Sequence, residues 1–167
     1  MFKQNFHGCI EHIAVVQEVI QHARLNNKTA NINWFDLNDA FGSGPHALIP
    51  HVLQHYHIPK SVITYITSLY TKLQGTVFTA EWISETFKFL RGVFQGDPLS
   101  GIIFLIVFNP IIEYIKKHTE THGYEIKTTN LNALSVITTP FADGFNIITR
   151  DKALHQELVT DVEKKIQ

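Results

Sequence analysis

The chain has 167 residues, 44% of them apolar and 17% charged, which is the make-up of an ordinary globular domain long enough to bury a sizeable core. Its 14 Lys and Arg stand against 15 Asp and Glu, a formal charge of −1 that excludes the strongly basic surface of a protein holding polyanions by bulk electrostatics. A single cysteine, Cys9, excludes an intrachain disulfide and so a disulfide-stapled secreted scaffold, and an intracellular setting is expected.

The opening MFKQNFHGCIEHI lacks the apolar core of a signal peptide. No repeat, low-complexity tract or Gly/Ser linker interrupts the chain, so a single domain over residues 1–167 is expected. Over residues 9–25, Ile10, Ile13, Ala14, Val16, Ile20 and Ala23 fall near one stripe ahead of Asn26-Asn27, which predicts a helix. TANINWFDL alternates and then turns wholly apolar, as a strand does on entering a core, and ends near Asp36. Pro45 to Tyr56 and Pro59 to Leu73 each open on proline and carry apolar residues at helical spacing, predicting two helices.

GTVFTAEWISETFKF reads as a β-hairpin, and its Phe78, Trp82, Phe87 and Phe89, like Trp34 before them, are expected in the core rather than stacked on bases. Asp97-Pro98 predicts an N-cap opening a helix to about Lys117, with a kink at Pro110. Its apolar run from Leu99 to Ile112 is short of the ~20 residues that cross a bilayer, so a buried helix and no membrane partner are expected. LNALSVITTPFADGFNIIT brings two apolar runs together at Asp143-Gly144, the signature of a hairpin closed by a type I′ turn. Asp151 is placed to cap a last amphipathic helix reaching about Lys165. The sum is an α+β fold, an antiparallel sheet packed against helices, with Asp36 and Asp143 at strand ends or turns.

Each aspartate alone has an ordinary explanation, as a solvated strand end or a turn former. Three segments in order change that reading. FDLNDAFGSGPHALI is similar to the first catalytic motif of reverse transcriptases, an Asp followed five residues later by an aromatic, here Asp36 and Phe41. RGVFQGDPLSGIIF resembles the family's second motif, with Gln95-Gly96 ahead of Asp97-Pro98-Leu99-Ser100. Phe141-Ala142-Asp143-Gly144 stands where the family usually has an aromatic, Ala, Asp and Asp. NFHGCIEHIAVVQEVI resembles the stretch before the first motif in enzymes of retrotransposons without long terminal repeats, and the likeness runs from about Asn5 to beyond Arg150.

The resemblance implies a polymerase palm with partial fingers and no thumb, truncated at both ends relative to the family. It implies an RNA-directed DNA polymerase that adds deoxynucleoside triphosphates to a primer 3′ end on an RNA or DNA template. Two magnesium ions, or manganese in their place, would be held by Asp36, Asp143 and the backbone carbonyl of Leu37. Phe41 would lie under the sugar and crowd a 2′-hydroxyl, Gln95 and Gly96 would floor the nucleotide pocket, and Arg91 would contact template or phosphate. The chemistry agrees: two cations about 4 Å apart hold attacking and leaving oxygens in line, and magnesium takes hard oxygen ligands.

Gly144 departs from the pattern by removing one carboxylate, with Asp39 and Asp97 the nearest in sequence to replace it. Weaker metal binding and a large loss of turnover are expected. The rival reading is an inactive, retrotransposon-derived palm that serves as a nucleic-acid or protein binding module. His51 with His55, and His7 with Cys9 and His12, could each share a metal, but no HExxH pattern or complete four-ligand spacing for structural zinc is present.

Overall fold

A computed structural model describes residues 9–94, 96–127 and 133–166. In chain order the elements are α1 (Cys9–Leu25), β1 (Asn31–Asp36), α2 (Ala40–Ser43), α3 (Leu48–His55), α4 (Lys60–Thr71), β2 (Gln74–Gly75), β3 (Phe87–Lys88), α5 (Pro98–Lys116), α6 (Thr119–His122), β4 (Tyr124–Ile126), β5 (Leu134–Val136), β6 (Gly144–Thr149) and α7 (Lys152–Ile166). They fall into two compact units, Met1–Leu37 with Pro110–Gln167, and Asn38–Asn109.

The first unit is built on the β1–β6 pair, antiparallel from Asn31↔Thr149 to Asp36↔Gly144. Strand alternation puts Ile32, Trp34 and Asp36 on one face with Ile148, Asn146 and Gly144, while Phe35 stacks on Phe145 on the other at 4.7 Å between ring centroids. α1 buries Val16, Val19 and Ala23 against Tyr124, Ile126, Val136 and Ile148. Val16 and Ala23 of the expected stripe are thus buried, whereas its Ile10, Ile13 and Ile20 are 64%, 51% and 36% exposed and are corrected. Both stripes have helical spacing, and periodicity alone does not say which one meets the sheet. α7 packs on β1 and β6 through Leu158, Val159 and Val162, and its start is as foreseen: Asp151 Oδ1 accepts the N–H of Ala153 (2.8 Å) and of Leu154 (3.1 Å). β5 lies in the apolar run expected to form a hairpin with the run that becomes β6, but it pairs instead with β4, a strand too short to show a period in the sequence.

The second unit gathers Ile49, Leu53, Ile66, Tyr70 and Ile103 into its core. Pro59 is the N-cap of α4, and Pro45 lies three residues ahead of α3, so both prolines precede their helices rather than open them. The 74–88 segment is a hairpin, as expected, but Phe78, Trp82 and Phe87 are 78%, 55% and 42% exposed. Core packing of these aromatics, and of Trp34 at 70% exposure in the other unit, is corrected. A two-stranded ribbon has too little partner surface to bury an apolar face. Asp97 caps α5, accepting the Leu99 N–H (3.1 Å) and the Ser100 hydroxyl (3.2 Å). That helix runs through Pro110 for 19 residues and is long and apolar enough, by length and composition alone, to cross a membrane. It is one-sided rather than buried throughout: Ile103, Phe104 and Phe108 are covered, whereas Ile102 and Leu105 are more than half exposed.

Candidate metal and nucleotide site

Asp36 closes β1, exposed, directly opposite Gly144 in the ladder; Asp143, half-buried, is the residue just before Gly144. Paired α-carbons in an antiparallel ladder are about 5 Å apart and successive ones 3.8 Å, so the two aspartates have α-carbons within roughly 9 Å. That spacing leaves room for cations between two carboxylates and suits hard oxygen donors. Among the described residues no group of three or more His, Cys, Asp or Glu side chains that could hold a metal ion comes together, here or elsewhere.

The turn that carries Asp143 differs from the expected one. The Phe141 N–H donates to Gly144 O (2.8 Å) and the Gly144 N–H to Phe141 O (3.0 Å), making Ala142 and Asp143 the two central residues. Ala142 alone has positive φ, at 54°, whereas a type I′ turn has it at both central positions. Gly144 is the first strand residue, with an ordinary φ, and a Cβ built there would meet nothing nearer than Phe141 O at 3.7 Å and Phe35 O at 3.8 Å. The site thus has room for the second carboxylate that the motif lacks. Holding a non-glycine residue at such a φ costs on the order of 1 kcal/mol or more, so the neighbouring structure must over-determine the turn.

Asn146 does part of that. It is fully buried, accepts the Thr139 N–H on Oδ1 (3.0 Å) and donates Nδ2–H to Thr139 Oγ1 (2.7 Å), tying the strand after the turn to the segment before it. Its only trace in the sequence is a lone amide inside the apolar run FNIIT. The ring of His12 meets Phe141 edge-on at 6.0 Å.

Within the second unit, Phe41 is half-buried and stacks on Phe104 at 4.8 Å between centroids. Its carbonyl accepts the Val93 N–H (2.6 Å), and the Gly92 N–H donates to Gly44 O (2.8 Å), so the segment leading to Gly96 is strapped to the segment following Phe41. Gly96 has φ +92°, a conformation side chains rarely adopt, with open space where a Cβ would stand. Arg91 is exposed and bridges Pro45 through its backbone. Gln95 lies outside the described residues.

Asp97 is spent on the α5 cap. Asp39, at φ 50°, folds its carboxylate over Gly42 of its own short helix.

The α+β fold, with a strand-end Asp beside a hairpin-turn Asp, has the architecture of a polymerase palm. The family follows from the whole chain: residues 2–167 match the model for reverse transcriptase (RNA-dependent DNA polymerase), and the chain belongs to that family. It is 35% identical over 106 residues to the retrovirus-related Pol polyprotein from type-2 retrotransposable element R2DM of Drosophila melanogaster, covering 63% of this chain and 10% of that protein. To the Pol polyprotein from type-1 retrotransposable element R2 of Nasonia vitripennis it is 26% identical over 164 residues, 96% of this chain and 15% of the relative. The chain therefore spans 10–15% of the length of these relatives. Among solved structures, telomerase from Candida tropicalis in complex with a telomeric RNA fragment superposes with TM-score 0.59 at 15% identity, over 92% of this chain and 26% of that one. Apo telomerase from the same species gives 0.59 at 16% identity, over 89% and 30%. These superpositions bear out the palm-like α+β fold, and the Pol relatives bear out a reverse transcriptase domain of the retrotransposon kind without long terminal repeats.

Proposed function

We propose that this chain is the palm of an RNA-directed DNA polymerase, built to add deoxynucleotides to a primer 3′ end on an RNA or DNA template. The observation that carries the reading is the ladder pair Asp36↔Gly144 with Asp143 in the adjoining turn, which sets two motif carboxylates at one end of one strand pair. Asp36, Asp143 and the Leu37 carbonyl offer hard oxygens for magnesium or manganese. When bound, two such ions neutralise the charge on the transferring phosphoryl group and align the attacking and leaving oxygens.

The protein residues do the positioning. The rigid β1–β6 ladder fixes Asp36, and the Asn146–Thr139 clamp fixes the turn bearing Asp143. Phe41, held by its Phe104 stack and its carbonyl bond to Val93, crowds a 2′-hydroxyl and selects deoxynucleotides. Gln95 and Gly96 line the nucleotide pocket, and Arg91 meets template or phosphate. Gly144 leaves the metal set one carboxylate short, so this copy binds its ions weakly and turns over slowly. A palm retained only to bind nucleic acid or protein is the reading that Gly144 favours if turnover is absent.

Primer extension on an RNA template in magnesium or manganese tests this, comparing the chain with Gly144→Asp and with Gly144→Asp plus Asp36→Ala. Extension that rises with Gly144→Asp and vanishes with Asp36→Ala supports the placement of the site. Extension that survives loss of Asp36 overturns it.

A further inference from the structure

We propose that His46 is a positioning residue for sugar selection, acting through Gly92 on Phe41; the proposal rests on the nucleotide-pocket reading above. His46 Nε2 lies 2.6 Å from Gly92 O. A carbonyl only accepts, so Nε2 carries the proton and donates it. The backbone N–H of His46 donates to Leu90 O (3.1 Å), so one residue grips the 90–92 strap at two points. Its ring stands edge-on against Tyr70 at 4.9 Å, and Tyr70 is a core residue only 2% exposed. The imidazole is therefore anchored on the core side while its N–H reaches the strap.

What the strap holds is Phe41. Val93 donates its N–H to the Phe41 carbonyl at 2.6 Å, and Gly92 packs so closely that a Cβ on it would meet Gly42 Cα at 2.8 Å and Phe41 O at 3.0 Å. Phe41 is thus set from two sides, its ring by Phe104 and its backbone by the 92–93 peptide that His46 secures. A steric gate discriminates by small distances, because close-packed contacts change steeply over a fraction of an ångström. Slackening the strap relaxes the crowding of a 2′-hydroxyl before it disturbs the fold.

The two contacts of the imidazole can be separated. His46→Phe keeps a ring against Tyr70 and removes the donor; His46→Gln keeps an N–H near the Nε2 position and removes the ring. Affinities of the 167-residue chain for dGTP and GTP in magnesium, measured by saturation-transfer NMR, give the sugar preference, and thermal melting reports stability separately. His46→Phe is expected to cut the preference for dGTP roughly fivefold, the equivalent of one hydrogen bond, and to lower Tm by roughly 2–4 °C. His46→Gln is expected to keep the preference at a lower Tm. Phe41→Ala is the reference for loss of the gate. If Phe41→Ala abolishes the preference and His46→Phe leaves it intact, the proposal is overturned while the pocket reading stands. If the unaltered chain shows no preference, or Phe41→Ala does not change it, the pocket reading fails and this proposal with it.

Discussion

Replacing Gly144 by Asp should lower the stability of the metal-free protein and make its stability depend on divalent ions. Position 144 is open: φ is ordinary there, and the nearest atoms to an added Cβ are carbonyl oxygens at 3.7 and 3.8 Å, so no steric term intervenes. The new side chain faces that of Asp36 across the ladder, with β-carbons about 5 Å apart. Two like charges at that separation beside water repel by about 1 kcal/mol, which in a chain of this size lowers Tm by roughly 2–4 °C. Gly144→Asn carries the same shape without the charge and isolates the electrostatic part. An ion bound by the folded state and present at about 100 times its Kd adds roughly 2.7 kcal/mol, enough to reverse the order of the two variants. Melting curves in EDTA and in saturating magnesium or manganese provide the measurement. Gly144→Asp is expected below Gly144→Asn in EDTA and above it with metal. Identical melting of the two under both conditions would refute a carboxylate pair at this end of the ladder.

Three further outcomes follow from the same contacts. Burial lowers the pKa of His155, so the folded state takes up a proton less readily than the unfolded chain, whose histidines titrate near about 6.5. Stability is full above that value and is lost as pH falls toward the depressed folded pKa, so Tm should drop between about pH 8 and about pH 5.5. His155→Asn keeps a donor for the 3.0 Å bond to Thr149 and should flatten the drop, leaving the share of His122, whose pKa is lowered by burial and by His118; equal slopes would contradict this. Asp151→Ala should cost about 1 kcal/mol through loss of the α7 cap, with Asp151→Asn restoring most of it in chemical denaturation. An unchanged midpoint would show that the cap contributes nothing. Gly92→Ala forces a side chain into φ +82° with its Cβ 2.8 Å from Gly42 Cα, and should destabilise by about 1–3 kcal/mol or more; a native Tm would mean that the strap yields.

The parts of the fold that local chemistry dictates were legible in the sequence. The caps at Asp97 and Asp151 stand where their side chains satisfy the first free N–H groups of a helix, and β1 ends on Asp36 as its pattern required. Facing choices were not legible, because they depend on the partner: α1 turns Val16, Val19 and Ala23 inward instead of its isoleucines, and the 76–86 hairpin leaves Phe78 and Trp82 in solvent. The turn was displaced by one residue because Asp-Gly is a strong signal for a type I′ turn, whereas the ladder with β1 makes Gly144 the first strand residue and puts the positive φ on Ala142. Of the proposed site, the motifs marked the residues to which a ligand role is proposed. Those that hold them in place, Asn146 and His46, act through contacts seven and forty-six residues away in sequence, which no local pattern encodes.

The central claim, that Asp36 and Asp143 share a divalent cation, is tested most directly by manganese titration of the unaltered, 15N-labelled chain. Paramagnetic broadening should appear first at the amides of Asp36, Leu37, Asp143 and Gly144, and Asp36→Ala should remove it from both segments together. Broadening that begins elsewhere, or that persists at Asp143 after Asp36 is lost, would contradict a metal site shared by the two aspartates.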